Sequence, residues 1–462
     1  MTAREPFLMG CGAGFSGDRI DAPHSVVEHI ARSGCPGAIM FETLAERTLA
    51  LGHVARRADP TLGYEPLLAD LVGPILPACM EAGIPIIGNF GNANPPAAAA
   101  LLEHLAHQAG LPTPRIAIIE GDDVTDHITV ADLEVWEGDA TLSRNLDGLI
   151  AANVYLGARP IAEALLAGAQ IVVTGRVADP SLALGPLVAH FGWSWNDWDR
   201  LAAGTLVGHL LECGSQVTGG YFADPGYKNV PNPETIGFPI AEVDADGGFT
   251  ITKAPGTGGC VTLRTVKEQI LYEVHDPAAY LTPDVTLDVT RLTLNQLAPD
   301  RVRVENAIGH PAPPSLKATV SFEGDWIGEA EITYAGPNCL ARARLAADII
   351  GKRIDLRRLD LRRRLDLIGT SSVFDDDTGT LAAAHPGAHP GALSECRMRL
   401  AVSGPDRRPV EQAVQEVLAL LCCGPAGGGG MRSQVRNRVR TLSCLVPRNR
   451  VSPGIAWAGS GQ

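Results

Sequence analysis

The sequence lacks the features of several protein classes. Of its 462 residues only 19% are charged and 5% are aromatic, and the net charge is −14. This acidic balance argues against a dedicated nucleic-acid binder, which needs a basic surface. No apolar run approaches the roughly 20 residues of a membrane helix. The first ten residues have one Arg, one Glu and no long apolar core, so we see no secretory signal and expect a cytoplasmic protein.

Motifs for metals, nucleotides and covalent nucleophiles are also scarce. None of the ten cysteines forms a C-x-x-C pair, and no His lies at zinc-finger spacing from them. There is no G-x-S-x-G elbow, no Walker A motif, no H-E-x-x-H and no EF-hand loop. We therefore expect neither a metal nor a cofactor, and we expect the cysteines to be free thiols.

Short apolar runs alternate with helix-like segments in the first 200 residues, a pattern typical of a parallel sheet covered on both faces. The predicted strands are 7–9, 36–41, 84–87, 115–119, 149–154 and 170–173, and the helices are 23–33, 43–57, 65–82, 95–109, 159–168 and 180–190. After a helix at 198–212, strands dominate, with helices at 265–274, 338–365 and 409–422 and a loop at 375–393. The prediction is an α/β fold: a parallel-sheet domain flanked by helices (1–205) that bears the site, and an α+β domain (206–462) with a largely antiparallel sheet and a glycine-rich C-terminal segment.

Small or polar residues follow nearly every predicted parallel strand. Because the carboxyl ends of such strands meet at one edge, these residues are expected to lie together there. The group comprises Gly12, Gly14, Glu42, Asn89, Asp122, Asp123 and Arg176.

Gly12 and Gly14 begin a G-x-G-x-x-G spacing that is completed by Gly17 and followed by Asp18 and Arg19. Backbone N–H groups in such a loop bind anions. A dinucleotide, another anionic or carboxylate ligand, and a structural turn all remain open, although Pro23 places the helix later than a dinucleotide fingerprint requires.

Three asparagines, Asn89, Asn92 and Asn94, follow the third strand and could stabilise an oxyanion or simply build a turn. Arg176 could clamp a carboxylate with Asp179 holding it, or the two could form an internal ion pair. Tyr227 and Lys228 lie on a loop-rich stretch with possible acids and bases, which could be a catalytic loop or a connection.

Several of these motifs are similar to the acyclic terpene utilisation family AtuA. The resemblance is carried by Cys11–Arg19, Phe41–Thr48, Gly88–Pro95, Gly121–Asp123, Thr174–Ser181, the Glu212–Tyr227 segment, Val266–Pro277, Tyr334–Pro337 and Gly424–Gly428. It implies a role in the degradation of terpenoid acids as coenzyme A thioesters. Many relatives carry a further small C-terminal domain, so the resemblance also allows a separate small partner chain.

By elimination, the remaining groups favour a cofactor-independent lyase that adds or removes water beside a carboxylate or acyl-CoA thioester. In this hypothesis Glu42 is the base, Arg176 holds the substrate carboxylate, Asn89 and Asn92 stabilise the enolate, and Tyr227 or Lys228 delivers a proton. The residues expected to bind substrate are Gly12, Gly14, Asp18, Arg19, Asn89, Asn92, Asn94, Asp122, Arg176 and Asp179. The alternatives are an NAD(P)-dependent oxidoreductase and a non-catalytic binding or scaffold subunit.

Three neighbouring tryptophans, Trp193, Trp195 and Trp198, could anchor a homo-oligomer or pack in the core. The expected assembly is a homo-oligomer.

Overall fold

A computed structural model describes residues 5–144, 146–370, 372, 373, 375, 380 and 393–459. The loop predicted at 375–393 falls almost entirely outside them. Contacts divide the chain into two units: unit 1 contains residues 1–322 and 441–462, and unit 2 contains residues 323–440. The domain boundary expected between residues 205 and 206 stays a prediction.

Unit 1 is built on a ten-stranded sheet in which five adjacent strands are parallel, which confirms the α/β prediction. In spatial order these are β1 (Phe7–Ala13), β2 (Gly37–Phe41), β3 (Ile86–Gly88), β7 (Ile171–Thr174) and β4 (Ile116–Glu120). The strands β8 (Pro239–Val243), β9 (Phe249–Lys253), β13 (Arg301–Glu305) and β12 (Thr293–Ala298) continue the sheet antiparallel beyond β1, and β19 (Gly454–Trp457) pairs antiparallel with β4.

Helices cover this sheet, and in most of them the apolar positions recur on one face. They are α1 (Ala22–Ser33), α2 (Glu46–Ala58), α3 (Leu68–Val72), α4 (Leu76–Ala82), α5 (Pro95–Gln108), α6 (Arg159–Leu166), α7 (Ser181–Phe191), α8 (Trp198–Leu211) and α9 (Leu263–Leu271). The single helix predicted at 65–82 is wrong: Gly73 and Pro74 separate α3 from α4, since proline cannot continue the hydrogen-bond ladder.

Two smaller sets of strands complete unit 1. The strands β10 (Tyr280–Leu281), β11 (Thr286–Asp288) and β14 (Ile308–His310) form a three-stranded sheet. The strand β6 (Leu149–Val154) pairs antiparallel with the beginning of β15 (Ser315–Ala335), and β5 (Glu134–Glu137) pairs with the end of β18 (Gly428–Pro447). The prediction that 149–154 belongs to the parallel sheet is therefore wrong, because an apolar run of this length reads the same in either kind of sheet.

Unit 2 is a small α+β unit. The later part of β15 pairs with β17 (Glu395–Gly404), which pairs with β16 (Arg362–Ile368), and β18 lies on the other side of β15. Two of its helices are α10 (Cys339–Leu356) and α11 (Arg407–Cys423). The helix predicted at 338–365 extends too far, since its last residues begin β16.

Candidate active site

The candidate site lies at the carboxyl edge of the parallel strands in unit 1. Glu42 follows β2, Asn89 follows β3, Asp122 lies two residues after β4, and Arg176 lies two residues after β7. Direct hydrogen bonds join Glu42 to Asn89 and Asp122 to Arg176. The sequence-predicted grouping of these strand ends is thus observed, as expected for a parallel sheet.

Glu42 is a buried carboxyl group that is hydrogen-bonded through its Oε1 atom. Its Oε1 accepts hydrogen bonds from the backbone N–H of Leu44 (2.7 Å) and from Nδ2 of Asn89 (2.9 Å). No partner for Oε2 is found among the described residues. Burial, followed by the negative charge of Asp179, raises the pKa of Glu42 to about 8, although Arg176 and these hydrogen bonds act against the rise. Glu42 therefore titrates near neutral pH with one oxygen available.

The side-chain oxygen of Asn89 is held by hydrogen bonds from Thr43. Its Oδ1 accepts a hydrogen bond from the backbone N–H of Thr43 (2.7 Å) and from the hydroxyl of the same residue (3.3 Å). Its side chain is completely buried. Asn89 thus orients Glu42, and its enolate-stabilising role stays a prediction.

Arg176 forms an internal ion pair, one of the two interpretations open from the sequence. It is 1% exposed, and its guanidinium donates to the carbonyl oxygens of Leu44 and Val177 and to the carboxylate of Asp179. The side chain of Asp179 is 33% exposed, so it covers the buried cation on the solvent side. Arg176 therefore places a buried positive charge at the site, and its direct contact with a substrate carboxylate stays a prediction.

A second ion pair, formed by Glu46 and Lys317, is joined to Arg176 through Tyr155 and was not expected from the sequence. The guanidinium carbon of Arg176 lies 4.4 Å from the ring centre of Tyr155, whose hydroxyl donates to Oε1 of Glu46 (2.6 Å). Nζ of Lys317 donates to the same oxygen (3.0 Å). Burial disfavours the Glu46 carboxylate, but Lys317 and Tyr155 outweigh it and bring the pKa of Glu46 to about 2. Tyr155 is buried, whereas the side chains of Glu46 and Lys317 are 37% and 40% exposed, so solvent reaches this group.

Asp122 belongs to a buried hydrogen-bonded chain. Its Oδ2 accepts from the backbone N–H of Arg176 (2.8 Å) and from Nδ2 of Asn153 (3.0 Å), and Oδ1 of Asn153 lies 2.9 Å from Nε2 of His53. Burial raises the pKa of Asp122 to about 6 and lowers that of His53. This chain fixes the loop that carries Arg176.

The glycine loop at the end of β1 is closely packed against neighbouring segments of unit 1. The backbone N–H of Gly14 donates to Oδ2 of Asp18 (2.8 Å), and a Cβ atom on Gly14 would overlap the backbone of Cys213 and Gly214. A Cβ atom on Gly12 would overlap the ring of Phe41. A phosphate would have to displace Asp18 from Gly14, and α1 begins only at Ala22, which counts against the dinucleotide alternative.

The remaining predicted ligands lie around this loop and after β3. Arg19 pairs with Asp21 and donates to the carbonyl oxygen of Ile236. Nδ2 of Asn94 donates to the carbonyl oxygens of Pro60 and Leu62.

Asn92 adopts a left-handed backbone conformation (φ 49°). Its Nδ2 donates to the carbonyl oxygen of Thr48, while its buried Oδ1 has no hydrogen-bond partner within the described part of the chain. These contacts are those of a turn, and substrate binding by Asn92, Asn94, Asp18 and Arg19 stays a prediction.

Tyr227 and Lys228 lie on an exposed turn. The side chain of Tyr227 is 80% exposed, and Nζ of Lys228 pairs with Glu268 (2.6 Å) and lies 4.7 Å from the ring centre of Phe222. Within the described part of the chain, no hydrogen bond joins either side chain to Glu42. Their role in proton delivery stays a prediction.

Other findings concern metals and membranes. The described residues contain no group of three or more His, Cys, Asp or Glu side chains placed to hold a metal ion. All ten cysteines are free thiols. Among the described helices, none combines the length and apolarity needed to cross a membrane.

Comparison with known proteins gives one match. The model of the family described as acyclic terpene utilisation family protein AtuA matches residues 7–457, which is nearly the whole chain. No curated protein and no solved structure matches.

Proposed function

Since the chain belongs to the acyclic terpene utilisation family AtuA, we propose that it is a hydro-lyase of a catabolic pathway. Its substrate would be a branched or small carboxylate, or the corresponding coenzyme A thioester. Glu42 would move the proton at the carbon next to the carbonyl group. In elimination Glu42 takes this proton as a base, and in addition it returns the proton as an acid.

The observation that supports this proposal is the environment of Glu42. A carboxyl group that titrates near neutral pH can both accept and donate a proton under working conditions. Its Oε1 is held by Asn89 and Leu44, which leaves Oε2 to exchange the proton. The buried positive charge of Arg176 lies beside it and would stabilise an enolate formed there.

Lys317 is a cation of this site that reaches solvent, since its side chain is 40% exposed. Because the guanidinium of Arg176 is covered by Asp179, we assign contact with the substrate carboxylate or thioester carbonyl to Lys317, with Glu46 and Tyr155 fixing its position. In this proposal Lys317 makes the contact that the sequence led us to expect from Arg176. A homo-oligomer and a small partner chain remain proposals; Trp193 is buried, whereas Trp198 is 41% exposed.

The experiment is a search for the gain or loss of one water. The protein is incubated with straight and branched 3-hydroxyacyl and 2-enoyl thioesters of coenzyme A and with the corresponding free acids, and products are followed by mass spectrometry. The variant Glu42→Gln should lower turnover at least about 100-fold, as expected for a group that transfers the proton.

The matched control is Glu65→Gln. Glu65 is also a buried glutamate, but it lies in the loop before α3 and its Oε1 accepts from the backbone N–H of Leu67. Glu65→Gln should keep full turnover. Full turnover in Glu42→Gln would refute the role of Glu42, and the absence of any water transfer by the unmodified protein would refute the hydro-lyase proposal.

A further inference from the structure

The end of α8 carries a second buried pair of titratable groups, His209 and Glu212. Nδ1 of His209 lies 2.9 Å from Oε1 of Glu212, and Nε2 of His209 lies 3.2 Å from the carbonyl oxygen of Ile270. Both residues are buried, and Oε2 of Glu212 has no hydrogen-bond partner among the residues that the structure describes. An unpaired buried carboxylate oxygen costs stability, so this position calls for a functional explanation.

Backbone contacts place this helix end against the candidate site. A Cβ atom on Gly208 would overlap the backbone of Pro180, the residue that follows Asp179. Gly14, at the end of β1, touches the backbone of Cys213 and Gly214 just beyond Glu212. The helix end therefore meets the loops that follow β1 and β7, which are two of the strand ends that form the site.

The charge of Asp179 acts on both buried carboxyl groups. It raises the pKa of Glu42 and also that of Glu212. Asp179 is therefore electrostatically coupled to both buried carboxyl groups.

We propose that Glu212, positioned by His209, is the second proton-transfer group of the site and acts on the oxygen of the water that is added or removed. This inference rests on the proposed hydro-lyase function. In elimination, the Cα–H bond breaks and its proton goes to Glu42, its electron pair forms the double bond, and the Cβ–O bond breaks. The departing oxygen takes the proton of Glu212 and leaves as water. In addition, Glu212 takes a proton from water, the oxygen bonds to Cβ, and Glu42 protonates Cα.

His209 is suited to prepare Glu212 for either direction. Since Nε2 faces a carbonyl oxygen, it carries a hydrogen, and Nδ1 faces Glu212. The pair can therefore hold one proton, either on the carboxyl group, which then donates to Nδ1, or on the imidazole, which then donates to the carboxylate. Proton exchange within the pair needs no movement of either side chain.

The other groups that face Glu212 set its titration. Burial raises the pKa of Glu212 to about 7, His209 lowers it, and the charges of Asp179 and Glu273 raise it. Burial also lowers the pKa of His209, but Glu212 outweighs this effect and the net pKa is raised. The hydroxyl of Tyr280 and the thiol of Cys213 adjoin the pair, and burial with the charge of Glu212 keeps the pKa of each raised.

The test measures proton exchange at Cα separately from the transfer of water. The protein is incubated in D₂O with the thioester and acid pool described above, and both deuterium uptake at Cα and water transfer are measured. Glu212→Gln should lower water transfer at least about 100-fold while Glu42-dependent deuterium uptake continues. Glu65→Gln should leave both rates unchanged.

Two results would overturn the role of Glu212 but leave the hydro-lyase proposal intact. These are unchanged water transfer in Glu212→Gln, and equal loss of deuterium uptake and water transfer in a variant that unfolds like the unmodified protein. If the unmodified protein transfers no water, the hydro-lyase proposal and this inference both fail.

A pH profile tests the positioning role of His209. In the addition direction the acidic limb should follow ionisation of Glu212 near pH 7, and the basic limb should follow Glu42 near pH 8. His209→Gln removes the positive charge that lowers the pKa of Glu212, so the acidic limb should move to higher pH. A uniform fall in rate with an unmoved limb would show a merely structural role and would overturn the proposal for His209.

Discussion

Replacing Glu42 with glutamine should stabilise unit 1 at high pH. The folded carboxyl has its pKa raised from 4.5 to about 8, so between these values the folded protein binds a proton that the unfolded chain has lost. Stability is therefore present in full below pH 4.5 and falls as pH rises towards 8. The difference between about 8 and 4.5, at about 1.36 kcal/mol per pH unit, corresponds to about 5 kcal/mol.

Most of this loss occurs between pH 5 and pH 9. At pH 5 the unfolded chain has only begun to favour the ionised form, which costs about 1 kcal/mol, whereas at pH 9 the cost is complete. Glutamine does not ionise, and its Oε1 can still accept from Leu44 and Asn89. The free energy of unfolding of Glu42→Gln, relative to the unmodified protein, should thus increase by about 4 kcal/mol from pH 5 to pH 9.

The assay is urea unfolding at both pH values followed by tryptophan fluorescence. Five of the six tryptophans lie in unit 1, so the signal reports this unit. As a control in the same unit, Glu46→Gln alters a carboxylate whose pKa Lys317 and Tyr155 lower to about 2 against the effect of burial. Its difference from the unmodified protein should remain nearly constant, because Glu46 is ionised throughout this range. An equal difference at both pH values for Glu42→Gln would refute the reasoning.

Further predictions concern side-chain contacts around the site. Tyr155→Phe removes the hydroxyl that donates to Glu46 and should lower the free energy of unfolding by about 2 kcal/mol; an unchanged urea midpoint would contradict the hydrogen bond. Gly208→Ala should destabilise unit 1 by about 1–3 kcal/mol because its Cβ would overlap Pro180. The same change at Gly351, a helical glycine whose Cβ would have ordinary space, should stabilise the protein by up to about 1 kcal/mol. Thermal unfolding of the two alanine variants compares them directly, and shifts in the same direction would contradict the packing argument.

Part of the site could be predicted from the sequence because it depends on a simple rule. Glu42, Asn89 and Arg176 each follow a short, continuous apolar run, and such runs in a parallel sheet end at a common edge. The rule places residues at an edge of the sheet, but it does not say which of their hydrogen-bond donors remain free to bind a substrate. From the sequence alone, the internal pairing of Arg176 with Asp179 is therefore one of two alternatives.

Other parts of the site depend on contacts that leave no local pattern. Lys317 comes from an antiparallel strand far along the chain, and its contact with Glu46 depends on the pairing of β6 with β15. His209 and Glu212 lie at the end of a helix that is buried on all sides, so its sequence has little polar face to mark functional positions. A spacing of three residues between His and Glu at a helix end is a weak signal that a search for such pairs could have found.

The pairing of β4 with β19 has a consequence for biosynthesis. Because the whole of unit 2 separates these strands in sequence, a chain growing from the ribosome carries β4 as an open edge for most of its synthesis. Residues 116–119 of this strand are apolar and three of the four are β-branched isoleucines, which is a composition that recruits foreign strands. We expect expression yield to depend strongly on how β4 is shielded during translation, and a charged residue on that strand should improve recovery of nascent chains while weakening the finished sheet.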